Sequence, residues 1–228
     1  PPQVAYHALL RACSHCGLRH PSTWVRDGVC LGCELKVRRG DERCPDGRCP
    51  FSPPGGKGRC GPLTWCPHDK RCFLCDSWSC ARCRLYQGDG SDVAALVASL
   101  GPSCLFIDFD KTLATTKGGS PLNGEHSVDD DLVGACAQMG EGRAVVVTRN
   151  VHVDDIRTFL SRKGMPHLPV HRVGRPLSKA EIVCDPRWLG EAGAPVVLVD
   201  DSISEHTDQE IRDDPRVIRF LFARSSRQ

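Results

Sequence analysis

The chain has 228 residues, enough for one large or two modest domains. With 30 Lys/Arg against 28 Asp/Glu the net charge is only +2, which excludes a strongly basic or acidic chain. No apolar run reaches the ~18 residues of a membrane span, so no membrane partner is expected. Charge is nevertheless uneven: residues 1–92 carry 14 Lys/Arg and 9 Asp/Glu, whereas residues 93–228 carry 16 and 19. The mild basic bias of the first part admits nucleic acid as a partner, and equally an ordinary solvated surface.

Cysteine dominates the first third. Of 15 cysteines, all but Cys104, Cys136 and Cys184 fall between Cys13 and Cys83. Pairs two residues apart favour metal over disulfides, because that spacing lets two thiolates converge on one tetrahedral ion. Cys13, Cys16, Cys30 and Cys33 have zinc-ribbon-like spacing and are expected to form one site. His20 is a less favoured substitute there. Cys44, Cys49, Cys60, Cys66, Cys72, Cys75, Cys80 and Cys83 supply thiolates for two more, with His68 a substitute for Cys66. Alternating pairs, as in cross-brace fingers of the RING and PHD kind, and sequential pairs both satisfy the spacing. The expectation is three structural Zn²⁺, since thiolate-saturated zinc keeps no position for water. It implies a reducing intracellular compartment, cytoplasm or nucleus. No signal-peptide pattern is visible, and because the chain begins with Pro1 an organelle stays open if a targeting segment was removed. Trp24, Trp65, Phe73 and Trp78 lie among the ligands, as a small core or as a surface for bases or peptide.

Composition changes near residue 90. The expected organisation is a cysteine-rich module over 1–90 (one site in 13–33, two in 44–83), a linker helix over 91–102 capped by Ser91, and an α/β domain over 103–228. In that domain, apolar strands are expected at 103–108, 144–148, 170–173, 195–200 and 217–222. Helices are expected at 128–139, where Leu132, Val133, Cys136 and Met139 keep a helical period, and at 152–163 and 178–184. Strands alternating with helices at these lengths imply a parallel sheet covered on both faces. Ligands of such sheets bind beyond the carboxyl ends of the strands. Asp108, Thr148 and Asp200 all fall there.

Cys104-Leu-Phe-Ile-Asp-Phe-Asp-Lys-Thr-Leu113 sets Asp108 and Asp110 one residue apart at a strand end. Like charges so close call for a cation, and the pair suits a nucleophilic carboxylate beside a proton-transfer carboxylate. The string resembles motif I (DxDxT) of the haloacid dehalogenase (HAD) superfamily. Three further stretches are similar to its other motifs in the same order: Val145-Val-Val-Thr-Arg-Asn150, Leu177-Ser-Lys-Ala-Glu181 and Val196-Val-Leu-Val-Asp-Asp201.

The resemblance covers about residues 103–222. It implies a Rossmann-like sheet and a phosphatase in which Asp108 attacks phosphorus to form an aspartyl-phosphate. Asp110 would serve as acid and then base, and Thr112 would hold the loop. Thr148 would bond the phosphoryl oxygen, and Lys179 would offset negative charge. One Mg²⁺ would bind among Asp108, Asp110, Asp200 and Asp201, with Glu205 in support. Residues 113–127 are too few for a helical cap, and the interval from Lys179 to Asp200 is too short for the other kind. A capless member favours a phosphorylated macromolecule, a phosphoprotein or a nucleic-acid end, positioned by the zinc module. The competing class is a non-catalytic interaction protein, a RING-like or PHD-like binder or ubiquitin-ligase component, with the α/β fold as scaffold.

Overall fold

In the computed structural model, the described residues are 79–188 and 194–224, with short stretches at 10–12, 19–21, 25–26, 29–30, 65–66, 68 and 71–72. The chain divides into two compact units, Pro1–Trp78 and Ser79–Gln228. In the first, β1 (Leu10–Ala12) pairs antiparallel with β2 (Arg19–Pro21), β3 (Val25–Arg26) with β4 (Val29–Cys30), and β5 (Trp65–Cys66) with β6 (Arg71–Cys72). The expected zinc ligands Cys30, Cys66 and Cys72 fall on these strands. Cys13, Cys16, Cys33, Cys44, Cys49, Cys60 and Cys75 lie outside the described residues.

The second unit holds a six-stranded sheet with every neighbouring pair parallel, in the order β10–β9–β8–β11–β12–β7. In chain order the strands are β7 (Leu85–Gly88), β8 (Cys104–Ile107), β9 (Ala144–Thr148), β10 (Val170–Arg172), β11 (Val196–Asp200) and β12 (Val217–Phe222). The helices are α1 (Gly90–Leu100), α2 (Asp130–Met139), α3 (Val153–Arg162), α4 (Ala180–Val183), α5 (Ile203–His206) and α6 (Gln209–Asp213). A short 3₁₀ turn covers Pro186–Trp188.

Strand side chains alternate between two cores, as a period of two demands. Leu105, Ile107, Val146, Val197, Val199 and Phe220 join residues of α1, α2 and α3. Cys104, Phe106, Val145, Val147, Val196 and Leu198 join Ala180 and Val183 of α4 and Ile211 of α6. Both faces are therefore covered, which is why these strands read as continuous apolar runs. The lone cysteines pack as small hydrophobes: burial pushes the thiols of Cys104 and Cys136 up to about 12 and that of the half-buried Cys184 up to about 11. No helix among the described residues is long and apolar enough to cross a membrane.

Three expectations around residue 90 need correction. The expected boundary at residue 90 falls inside the second compact unit, because Leu85–Gly88 is a sheet strand paired with β12. The expected linker over 91–102 is α1, whose Val93 and Val97 are buried in the core. Its cap is Asp89, not Ser91: the Asp89 carboxylate accepts from the backbone of Ser91 and Asp92, and Asp92 reaches back to the Asp89 amide. Cys80 and Cys83 consequently belong to the second unit. They lie on a turn closed by paired bonds between the Cys80 and Leu85 backbones. The buried Arg219 braces that turn, donating to the Cys83 and His206 carbonyls.

Candidate active site

The loop that follows β8 is shaped by one core residue. Phe109 is fully buried and meets Phe159 edge-on at 5.8 Å. Asp108 and Asp110 stand on either side of it in the chain. The Asp108 amide donates to Val199 O at 2.9 Å, which locks the loop to the end of β11. Thr112 is buried, and its hydroxyl accepts the Asp201 amide at 3.1 Å. The expected loop-holding residue thus ties the two acidic loops together.

Lys179, the residue just before α4, lays its ammonium between two carboxylates, 2.5 Å from Asp108 Oδ1 and 2.6 Å from Asp200 Oδ2. Its side chain is 2 % exposed. Carboxylate oxygens of Asp108, Asp200 and Asp201 all lie within 4.8 Å of one another. Lys111 approaches Asp201 at 3.9 Å from the solvent side. Thr148 ends β9, the neighbour of β8, and its hydroxyl accepts the Asn150 amide at 3.0 Å. That hydroxyl keeps its own proton for another acceptor. Four of the expected residues, Asp108, Lys179, Asp200 and Asp201, therefore meet at the carboxyl ends of the central strands β8 and β11.

The electrostatics are unbalanced. Burial raises the Asp108 carboxyl to about 7; Lys179 pulls against this, and Asp200 and Asp201 add to it. Burial likewise raises Asp201, with Asp200 adding. Burial would lower the Lys179 ammonium, but Asp108 and Asp200 together outweigh it and hold the group above its ordinary value. Both partners of the Asp108–Lys179 pair thus move upward. The ammonium is the firmer charge of the two, because it faces two carboxylates at once. One buried ammonium among three carboxylates leaves excess negative charge, and the donor atoms are all oxygens. That combination fits a hard cation such as Mg²⁺. The Asp110 carboxylate, also expected at the metal, lies outside this group of three and accepts the Gly118 amide at 2.8 Å instead.

Two neighbours were not singled out by sequence. Arg149 donates twice to Glu205, at 2.6 and 3.0 Å, and once to Leu177 O at 3.0 Å. Glu205, expected to support a metal, is therefore engaged by Arg149. Asn150 donates to Asp110 at 3.1 Å and to Gly119 O at 2.8 Å. Both follow Thr148 directly, and that adjacency was the one signal available. No family model, curated protein or solved structure matches this chain.

Proposed function

We propose that the chain is a Mg²⁺-dependent phosphomonoester hydrolase of HAD type that works through an aspartyl-phosphate on Asp108. The observation that carries this reading is the Lys179 ammonium held between Asp108 and Asp200, with Asp201 alongside, at the carboxyl ends of adjacent parallel strands. Lys179 occupies Oδ1 of Asp108, which leaves Oδ2 to attack phosphorus in line with the leaving oxygen. Asp110 gives that oxygen a proton as the ester bond breaks. It then takes a proton from water, whose oxygen attacks the phosphoryl-aspartate and releases inorganic phosphate and Asp108. Thr148 donates its hydroxyl proton to a phosphoryl oxygen, and Lys179 offsets charge on the attacking carboxylate. Asp108, Asp200 and Asp201 would hold the Mg²⁺, whose chemistry when bound is to neutralise these carboxylates against the phosphate.

A macromolecular substrate, phosphoprotein or nucleic-acid end, fits the open surroundings. Residues 113–128 form no helix or strand, and the exposed apolar residues Val151 and Leu177 lie within three residues of Thr148 and Lys179 along the chain. The cysteine-rich module is proposed as a three-zinc structural unit that positions this substrate in a reducing compartment. Turnover of p-nitrophenyl phosphate with added Mg²⁺ tests the core of the proposal. Asp108→Asn should reduce it on the order of 10³-fold or more, as loss of a nucleophile does. Equal turnover by both proteins would sink Asp108 as the nucleophile, and none by the unaltered chain would favour the scaffold reading.

A further inference from the structure

The segment between β8 and α2 is fastened at its base and latched near its tip. At the base, the Thr115 amide donates to Ser127 O at 3.0 Å, and the Ser127 amide to the Thr115 hydroxyl at 3.0 Å. Near the tip, Gly118 and Gly119 have φ of +92° and +87°. Nothing lies within 4 Å of a Cβ built at either, so backbone conformation rather than space calls for glycine there. The Gly118 amide donates to Asp110 Oδ1, and the Gly119 carbonyl accepts from Asn150 Nδ2.

Asn150 completes the latch. Its amide nitrogen has two protons, one directed to the Asp110 carboxylate and one to Gly119 O. Its Oδ1 accepts the His152 amide at 3.0 Å, which fixes the orientation of the group. The reverse orientation would set Oδ1 against two further acceptors and the amide nitrogen against a donor. The Asn150 backbone amide holds the Thr148 hydroxyl at the same time. One buried residue thus touches the proposed acid–base group, the Thr148 hydroxyl proposed to bond the phosphoryl oxygen, and the arch.

We propose that Asn150 is a positioning residue that joins the Gly118–Gly119 arch to the Asp110 carboxylate, so that arch and acid–base group move as one. The inference rests on the phosphatase reading for its catalytic meaning, but the latch itself is a property of the fold. With the arch down Asp110 accepts from both Gly118 and Asn150, and lifting the arch removes the Gly118 donor and leaves Asn150 alone to hold the carboxylate.

Two readouts on the full chain test this. Amide hydrogen exchange at Gly118 needs no turnover; Asn150→Ala and Asp110→Ala should each speed it by about tenfold or more. In turnover, Asn150→Ala should lose roughly 10²-fold on glycerol 2-phosphate, whose alkoxide needs a proton, and less than about tenfold on p-nitrophenyl phosphate. Should Asn150→Ala fail to fold, Gly118→Ala strains the arch from its own side and should give the same split between substrates. Unchanged exchange at Gly118, or an equal loss on both substrates, would overturn the proposal. Absence of turnover in the unaltered chain would overturn the phosphatase reading while the exchange result still judged the latch.

Discussion

Lys179 carries more responsibility than any other single side chain in the second unit. Buried beside Asp108, Asp200 and Asp201, it supplies charge that water cannot. Lys179→Met should therefore lose about 3 kcal/mol of stability in metal-free buffer, the usual scale for orphaning a buried pair. Added Mg²⁺ should return part of it by binding the native acidic group. Equal denaturation midpoints for the two proteins without metal would contradict the role assigned to the ammonium. His206 makes a second demand on the same loop. Its ring is fully buried, with Nε2 3.0 Å from Asp200 O and no hydrogen-bond partner for Nδ1 among the described residues. Burial holds it below its ordinary value of 6.5; Arg219 and Lys179 add to this, and Asp200 opposes. Below that ordinary value the unfolded chain takes up a proton that the native ring refuses, so the His206 contribution to stability falls as pH drops from 7 towards 5, while the raised Asp108 carboxyl contributes in the opposite direction. The difference in thermal unfolding between the unaltered chain and His206→Gln should carry this slope across that window, the variant gaining relative stability as pH falls.

At the scale of elements, the approach of α1 to α2 depends on one missing side chain. A Cβ at the buried Gly90 would stand 2.2 Å from Asp129 Oδ1, and that carboxylate caps α2 by accepting the Leu132 amide at 3.1 Å. Gly90→Ala should cost about 1–3 kcal/mol, the scale of an overpacked contact, although alanine favours helices. Asp129→Ala should cost about 1 kcal/mol through loss of the cap. Chemical denaturation separates the two, and a stabilised Gly90→Ala would show that the helices can part freely. Most elements were legible because burial on both faces leaves long apolar runs: Ala144–Thr148 and Val217–Phe222 have the expected bounds. Leu85–Gly88 was not legible. It is short, only Leu85 in it is fully buried, and it adjoins the cysteine-rich stretch. The acidic residues and Lys179 stood out through their order along the chain. Asn150 and Arg149 act through tertiary hydrogen bonds, and such bonds leave no period in sequence.

For the whole molecule, the sharpest expectation concerns metal. Twelve cysteines between Cys13 and Cys83 can saturate three tetrahedral ions. Elemental analysis of the chain as isolated should give three zinc per polypeptide, and about one would refute the assignment. Mg²⁺ should exchange freely at the carboxylates while zinc stays bound. Chelation that removes zinc tests whether the two compact units depend on each other: the phosphatase reading expects p-nitrophenyl phosphate turnover to survive better than turnover of a macromolecular substrate.

The strand order has a consequence for biogenesis. β7 is the first of the sheet strands to leave the ribosome, yet its neighbour β12 is the last, and β12 lies between it and β11. The Arg219 amide reaches back to Arg84 O and the Ala223 amide to Gly88 O, both at 2.8 Å. The nascent edge must therefore wait through the translation of the five strands that follow before its ladder can close. Such long-range closure is slow and leaves apolar surface uncovered meanwhile. A stalled or shortened translation product lacking β12 would leave Leu85–Gly88 and the open flank of β11 both seeking partners, a state on which chaperones and proteases act.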